Sequence, residues 1–226
     1  MGKSEIIIAC KCAPEARIFK DIKKAGLGAV ELYLSEEIMR DPHNIAVLCG
    51  DFPFSYAIHA PNDCFIPQEV AELAARLSSG IVVFHDIYWE DEWKEIIDVF
   101  KSVNVKLCIE NVSCVHEPLR FIRRYKLARC LDLEHLQLEC GGIYEEEFIP
   151  VIKCASHIHL TGYFHGSDLW HTHIQHSPEH GRFMLNLLRN SGYSGFVVSE
   201  AKVSLQTYEE FRNLKDFFES WEKEMG

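Results

Sequence analysis

VKLCIENVSCVHEPLRFIRRYKLARCLDLEH, residues 105–135, holds two short apolar runs with an amphipathic segment between them. The first run ends on Glu110 and the second on Asp132, so it reads as strand, helix, strand, each strand closing on a carboxylate. The same alternation continues outward in both directions. Upstream lie EIIIACKCA (5–13), AVELYLS (29–35), FSYAIHAP (54–61) and GIVVFHDIYW (80–89); downstream lie ASHIHLTG (155–162) and GFVVSEAK (195–202). Helical patterns separate them: PEARIFKDIKKAG, PQEVAELAARLSSG, EDEWKEIIDVFKSV, HEPLRFIRRYK, EEEFIPVIK, GRFMLNLLRNSG and a long C-terminal stretch from Ser204. SEEIMRDPHNIAVLCG is a poorer helix, which Pro42 is expected to break. Gly26, Gly80 and Gly192 are expected as left-handed caps before strands. Apolar strands alternating with helices imply a parallel sheet covered on its outer face. Eight such units favour a closed (β/α)8 barrel, one α/β domain over residues 1–226, above an open doubly wound sheet.

The polar residue at each strand end carries the chemical information. Glu31, His59, His85, Glu110, Asp132 and His159 follow one another at 22 to 28 residues, about one βα unit each; Glu200 follows after 41 because of an insertion. Side chains alternate along a strand, so Ala29, Ala57, Val83, Cys108, Cys130, His157 and Val198 share their faces one layer deeper. All but His157 are small or apolar, as a filled barrel interior beneath a polar mouth requires. A lone strand-end histidine is as often structural as functional. Seven polar side chains in one register are different, because burying them without partners would cost several kcal/mol each. A shared cation removes that cost. Three carboxylates and one imidazole drawn from these seven would suit Mn²⁺, Mg²⁺ or Co²⁺, with Zn²⁺ or Fe²⁺ more competitive as imidazoles are added.

The chain has 226 residues, is 47% hydrophobic and carries a net charge of −11. Such a body repels nucleic-acid phosphate and anionic lipid, which speaks against nucleic-acid and membrane partners, although bound cations would make one patch positive. The start, MGKSEIIIAC, has too short an apolar run for a signal peptide or span, so a cytoplasmic protein is expected. Nine cysteines, an odd number and without a CxxC pair, fit free thiols in a reducing compartment. No nucleotide-binding glycine fingerprint, P-loop or Gly-x-Ser-x-Gly elbow is present. The sequence leaves a homo-oligomer open.

These motifs resemble the xylose isomerase-like barrels, a family that includes sugar and sugar-phosphate isomerases and epimerases, inosose dehydratases and endonuclease IV. The likeness runs along nearly the whole chain and is most specific at IHAP, IEN, DLEH, HIHL and SEA. It implies a metal held by Glu110, Asp132, His159 and Glu200, with Glu110 and Glu200 doubling as the acid/base pair and His135 contacting substrate. Proton transfer would then run through an enediolate stabilised by the metal. Glu31, His59, His85 and His157 are expected to line the substrate site, with His157 one layer below His159. The stretch LTGYFHGSDLWHTHIQHSPEHGRF departs from the family's usual loop. Its length suggests a lid that brings at least one of His171, His173 or His176 to the mouth, against a solvated histidine-rich loop.

Two enzyme classes therefore compete. The first is a metal-dependent isomerase or epimerase of a small sugar, sugar phosphate or polyol. The second is a phosphoester hydrolase of the endonuclease IV type, whose several metals would draw on His59, His85, Glu110, Asp132, His135, His159 and Glu200. An iron-dependent oxidase or lyase on the same barrel, and a metal-binding protein without catalysis, complete the alternatives.

Overall fold

The computed structural model describes residues 5–112, 119–140 and 145–224. The start MGKS and the opening of the helix expected from His116 lie outside the described residues. Eight parallel strands close into a barrel in sequence order: β1 (Ile6–Cys12), β2 (Ala29–Tyr33), β3 (Ser55–His59), β4 (Ile81–His85), β5 (Lys106–Glu110), β6 (Ala128–Asp132), β7 (Ala155–His159) and β8 (Gly195–Ser199). Closure is made by β8 against β1, from Ile6 opposite Gly195 to Cys10 opposite Ser199. The structure is thus a single closed (β/α)8 barrel.

The helices form the outer ring: α1 (Ala16–Ala25), α2 (Pro42–Gly50), α3 (Pro67–Leu77), α4 (Glu90–Phe100), α5 (Leu119–Tyr125), α6 (Leu133–Cys140), α7 (Glu145–Ile152), α8 (Pro178–Asn190) and α9 (Tyr208–Glu224). Their apolar stripes face the barrel. In α4, Trp93, Ile96 and Phe100 are buried at helical spacing, and Glu92 accepts from the Trp89 backbone N–H at 2.7 Å to fix the N-terminus. Trp93 packs against Phe84, Tyr88 and Phe121, and its removal would cost about 3–5 kcal/mol. Among the described residues, no helix is long and apolar enough to cross a membrane.

The expected elements differ from the observed ones in three places. Pro42 does not break a helix but opens α2 at its first turn, where its missing N–H costs nothing, and Asp41 caps the turn by accepting from the Asn44 N–H at 3.0 Å. Gly26 and Gly192 take positive φ as expected, but after α3 the left-handed residue is Ser78 rather than Gly80. In ARCLDLEH the strand stops at Asp132, and Leu133, Glu134 and His135 are the first turn of α6. Asp132 Oδ1 accepts from the His135 N–H at 2.8 Å, so the Asp-x-x-His spacing is helix-capping geometry.

Two apolar layers result. One lies between strands and helices. The other fills the barrel interior with smaller groups: Ala9, Ala29 and Val198 on one side, Val83, Cys108 and Cys130 on the other. Each of these stands two residues before a strand-end polar group, so the interior layer is the floor on which the polar ring rests.

Candidate metal centre and active site

The ring is complete around the barrel: Lys11, Glu31, His59, His85, Glu110, Asp132 and His159 on β1 to β7, and Glu200 just after β8. Most of it is inaccessible: Glu31, His59 and His159 are 0% exposed, Glu110 1% and Asp132 2%. Ligand atoms of Glu110, Asp132, His159 and Glu200 all lie within 4.8 Å of one another.

His159 is the hub. Its Nδ1 is 3.2 Å from Glu200 Oε2, 3.3 Å from Glu110 Oε2 and 3.7 Å from Asp132 Oδ2; its Nε2 is 3.0 Å from Glu31 Oε1. Both ring nitrogens are buried, yet neither forms an aligned hydrogen bond. Buried polar atoms aimed at a carboxylate cluster without hydrogen bonding to it fit a cation held between them. Oxygen donors from three strand ends and one imidazole are a donor set for a divalent ion. Glu31 Oε1, also buried and without an aligned hydrogen bond, stands on the Nε2 side of the imidazole.

The electrostatics agree with a cluster of ionised carboxylates. Burial alone would raise the pKa of Glu31, but His159 and His157 beside it hold it well below the usual range. Glu110 is likewise buried and likewise held down, by His159 and then by the neighbouring His59 and His85. At Glu200, burial is outweighed by Lys11 and then His159. Lys11 is the reciprocal case: burial opposes its charge, but Glu200, Glu110 and Glu31 together keep the ammonium protonated. His159 is buried too, and Cys130, Glu31 and Glu110 push its pKa upward.

His157 is buried one layer below, its Nε2 2.6 Å from Glu31 Oε2. On the β3–β4 side, His59 Nε2 lies 3.0 Å and His85 Nε2 3.5 Å from Glu110 Oε2. His59 Nδ1 is also 3.0 Å from the Ala60 carbonyl oxygen. Both ring nitrogens of His59 therefore face acceptors, while burial and then Lys11 lower its pKa and favour the neutral ring. A neutral imidazole has one N–H and cannot serve both.

His135 donates from Nδ1 to the Asn111 carbonyl at 2.8 Å, and is 3.7 Å from Asp132 and 3.8 Å from Glu110. Burial works against its charge, but Asp132 and the Asn111 carbonyl prevail and raise its pKa.

The long loop disperses its histidines. His171 is half exposed, approaches Glu134 at 3.4 Å, and helps line a cleft of about 300 Å³ with Lys11, Glu200, Tyr33 and Lys202. His173 does not reach the mouth: it is buried between Ser199 Oγ at 2.7 Å and the Leu205 carbonyl at 3.2 Å, against Phe211. Nor does His176, which pairs with Glu210 at 2.8 Å on the outer helical layer.

Three residues at the site lack a role in the sequence-based assignment. Lys11 occupies the β1 position of the ring, and the register of seven other polar strand ends would have pointed to it. Asn111 ties β5 to β6, accepting from the Asp132 N–H at 2.9 Å and donating to its carbonyl at 3.0 Å. Glu134 is 2% exposed and tethers the loop, accepting from Thr161 Oγ1 and, at 3.2 Å, from the His171 N–H.

Comparison with solved structures supports the architecture. D-allulose 3-epimerase from a Methylomonas species, solved with D-allulose, has TM-score 0.66 and 10% identity over 98% of this chain and 97% of its own. A Thermus thermophilus protein soaked with zinc chloride has TM-score 0.63 and 15% identity over 96% and 98%. Phosphoribosyl anthranilate isomerase from Thermus thermophilus has TM-score 0.57 and 13% identity over 95% and 98%. At these identities the likeness is one of fold. No family model matches the chain, and no curated protein matches it in sequence.

Proposed function

We propose that this protein is a divalent-metal-dependent isomerase or epimerase of a small sugar, sugar phosphate or polyol. The observation that carries the proposal is the convergence of Glu110, Asp132, His159 and Glu200 within 4.8 Å at the carboxyl ends of the strands. A cation bound there would supply Lewis acidity to a carbonyl and a neighbouring hydroxyl oxygen. Glu110 and Glu200 flank the position from β5 and β8. As carboxylates, one accepts the proton on the carbon beside the carbonyl. Proton return to that carbon from the other side completes epimerisation; return to the former carbonyl carbon, with the carbonyl re-forming next to it, completes isomerisation. His135, held by Asp132 and Asn111, is the residue proposed to hydrogen-bond a substrate oxygen. The cleft beside Glu200, lined in part by Lys11 and His171, gives the remainder of the substrate a place to lie.

The sugar epimerase among the structural neighbours, solved with its sugar, supports the substrate class. The experiment is solvent deuterium exchange on a panel of ketoses, aldoses, sugar phosphates and polyols with Mn²⁺, Co²⁺ or Mg²⁺. Deuterium entering carbon is the expected result. Phosphoester cleavage with no carbon-bound exchange would overturn the proposal.

A second function has its own observation. The double acceptor environment of His59, with His85 and Glu110 beside it, suits a second cation. Paired metals stabilise both oxygens of a phosphoryl displacement, so a multinuclear phosphoester hydrolase is the alternative. The net charge of −11 disfavours nucleic acid as its substrate.

A further inference from the structure

Among eight strand ends, β1 alone carries a lysine. Lysine is almost never buried without a partner, yet Lys11 is only 7% exposed. Its ammonium is 2.6 Å from Glu200 Oε1 and 3.8 Å from Glu31 Oε1. The other oxygen of Glu200, Oε2, is the one 3.2 Å from His159 Nδ1. The two oxygens of this carboxylate thus have different partners: one a protein cation, the other the ligand cluster.

The lysine cannot easily leave. Its backbone is paired to Glu31 in the barrel, its carbonyl accepts from Gln206 Nε2 at 3.4 Å, and its neighbours Cys10 and Cys12 are buried on the opposite face. Among the described residues lining the same cleft, the other lysine, Lys202, is exposed.

We infer that Lys11 is a positioning residue of the proposed metal centre, holding Glu200 Oε1 so that only Oε2 is offered to the cation. The inference rests on the metal-centre proposal above. Two consequences follow. Glu200 would bind through one oxygen rather than chelate, so it would take up one fewer of the ion's positions. The ammonium also opposes the incoming cation with its own charge, so the site holds metal less tightly than its carboxylates alone would allow. A lysine serving only to neutralise buried acid would affect stability but would leave ligation by Glu200 unchanged.

The test uses Co²⁺, whose visible absorption weakens as its coordination number rises from four toward six. Wild-type protein, Lys11→Met and Lys11→Gln are stripped of metal, titrated with Co²⁺ and checked for folding by thermal melting. In Lys11→Met, Glu200 is free to bind through both oxygens, so the absorption should weaken and Co²⁺ should bind about tenfold tighter or more. Glutamine can still donate an N–H to Oε1 without the charge. Lys11→Gln should therefore keep the wild-type spectrum while gaining affinity. A Lys11→Met spectrum identical to wild type overturns the inference. Should Lys11→Met fail to fold, Lys11→Ala titrated in the same way decides: a weakened spectrum supports the inference, and a wild-type spectrum overturns it. Wild-type protein that takes up no Co²⁺ is a different failure, because it removes the metal centre itself.

Discussion

The ends of β5 to β8 and the loop that follows β7 use the same residue types with opposite results. Glu110, Asp132, His159 and Glu200 come from four different strands, yet their ligand atoms lie within 4.8 Å of one another. His171, His173 and His176 lie within six residues of sequence and go to three places: the mouth, the buried layer under Ser199, and the outer helices. A strand position is fixed by alternation and by register with its neighbours, so chemistry at strand ends is set by the barrel. A loop position depends on the particular contacts that pin the chain. Here these are Gly162, Glu134 and Ser177: Gly162 donates to the Thr172 carbonyl at 2.8 Å, and Ser177 Oγ donates to the Gly162 carbonyl at 2.6 Å.

If the strand ends carry the chemistry, their substitution should have the largest effect. Glu110→Gln and Glu200→Gln should each reduce carbon-bound deuterium exchange by a factor on the order of 10² or more, the usual scale of a lost acid/base group. Near-wild-type exchange in either variant would break the comparison on its strand side.

The loop should respond through its anchors rather than through its exposed histidines. A Cβ at Gly162 would sit 2.5 Å from Thr172 Oγ1 and 2.8 Å from the His173 carbonyl oxygen. The threonine can turn away, but the carbonyl cannot move without the loop. Gly162→Ala should therefore cost about 1–3 kcal/mol in urea unfolding and expose the loop to protease. A variant as stable and as resistant as wild type would show that the loop is not pinned there.

His173 should reveal itself as a stability element through pH. Burial pushes its pKa down to about 4 from the usual value near 6.5. The unfolded chain therefore binds a proton between those values that the folded chain does not. Its contribution is complete above pH 6.5 and is lost as pH falls toward 4. Between pH 7.5 and 5 this amounts to about 2 kcal/mol by linkage. Urea unfolding at the two pH values should show that much less dependence in His173→Asn than in wild type. An equal dependence in both would place the titration elsewhere. The smallest effect belongs to His176, whose pair with Glu210 is on the outer layer: His176→Ala should change stability by less than ~1 kcal/mol and leave turnover unchanged.

Much of this was legible before the fold was known, for a physical reason. The 22-to-28-residue recurrence of strand-end polar groups from Glu31 to His159 is a property of βα units, and the small residues two positions earlier are a property of a filled barrel. Lys11 stands two residues after Ala9 and 20 before Glu31, so the strand-end register reaches it, but only closure of β1 on β8 sets it beside Glu200. Asn111 and Glu134 act through hydrogen bonds to β6, to α6 and to the loop, which pattern alone does not encode. Pro42 misled because its effect depends on whether it falls inside a helix or at its first turn.

The central claim is that one divalent cation is held by Glu110, Asp132, His159 and Glu200. Elemental analysis of protein dialysed against Mn²⁺ or Co²⁺, then freed of loose metal, tests it directly. Wild type, His59→Ala and His85→Ala should each retain about one ion per chain, and Asp132→Asn and His159→Ala should retain none. Wild-type protein without metal, or metal that survives in Asp132→Asn and His159→Ala but is lost from His59→Ala and His85→Ala, would contradict the account.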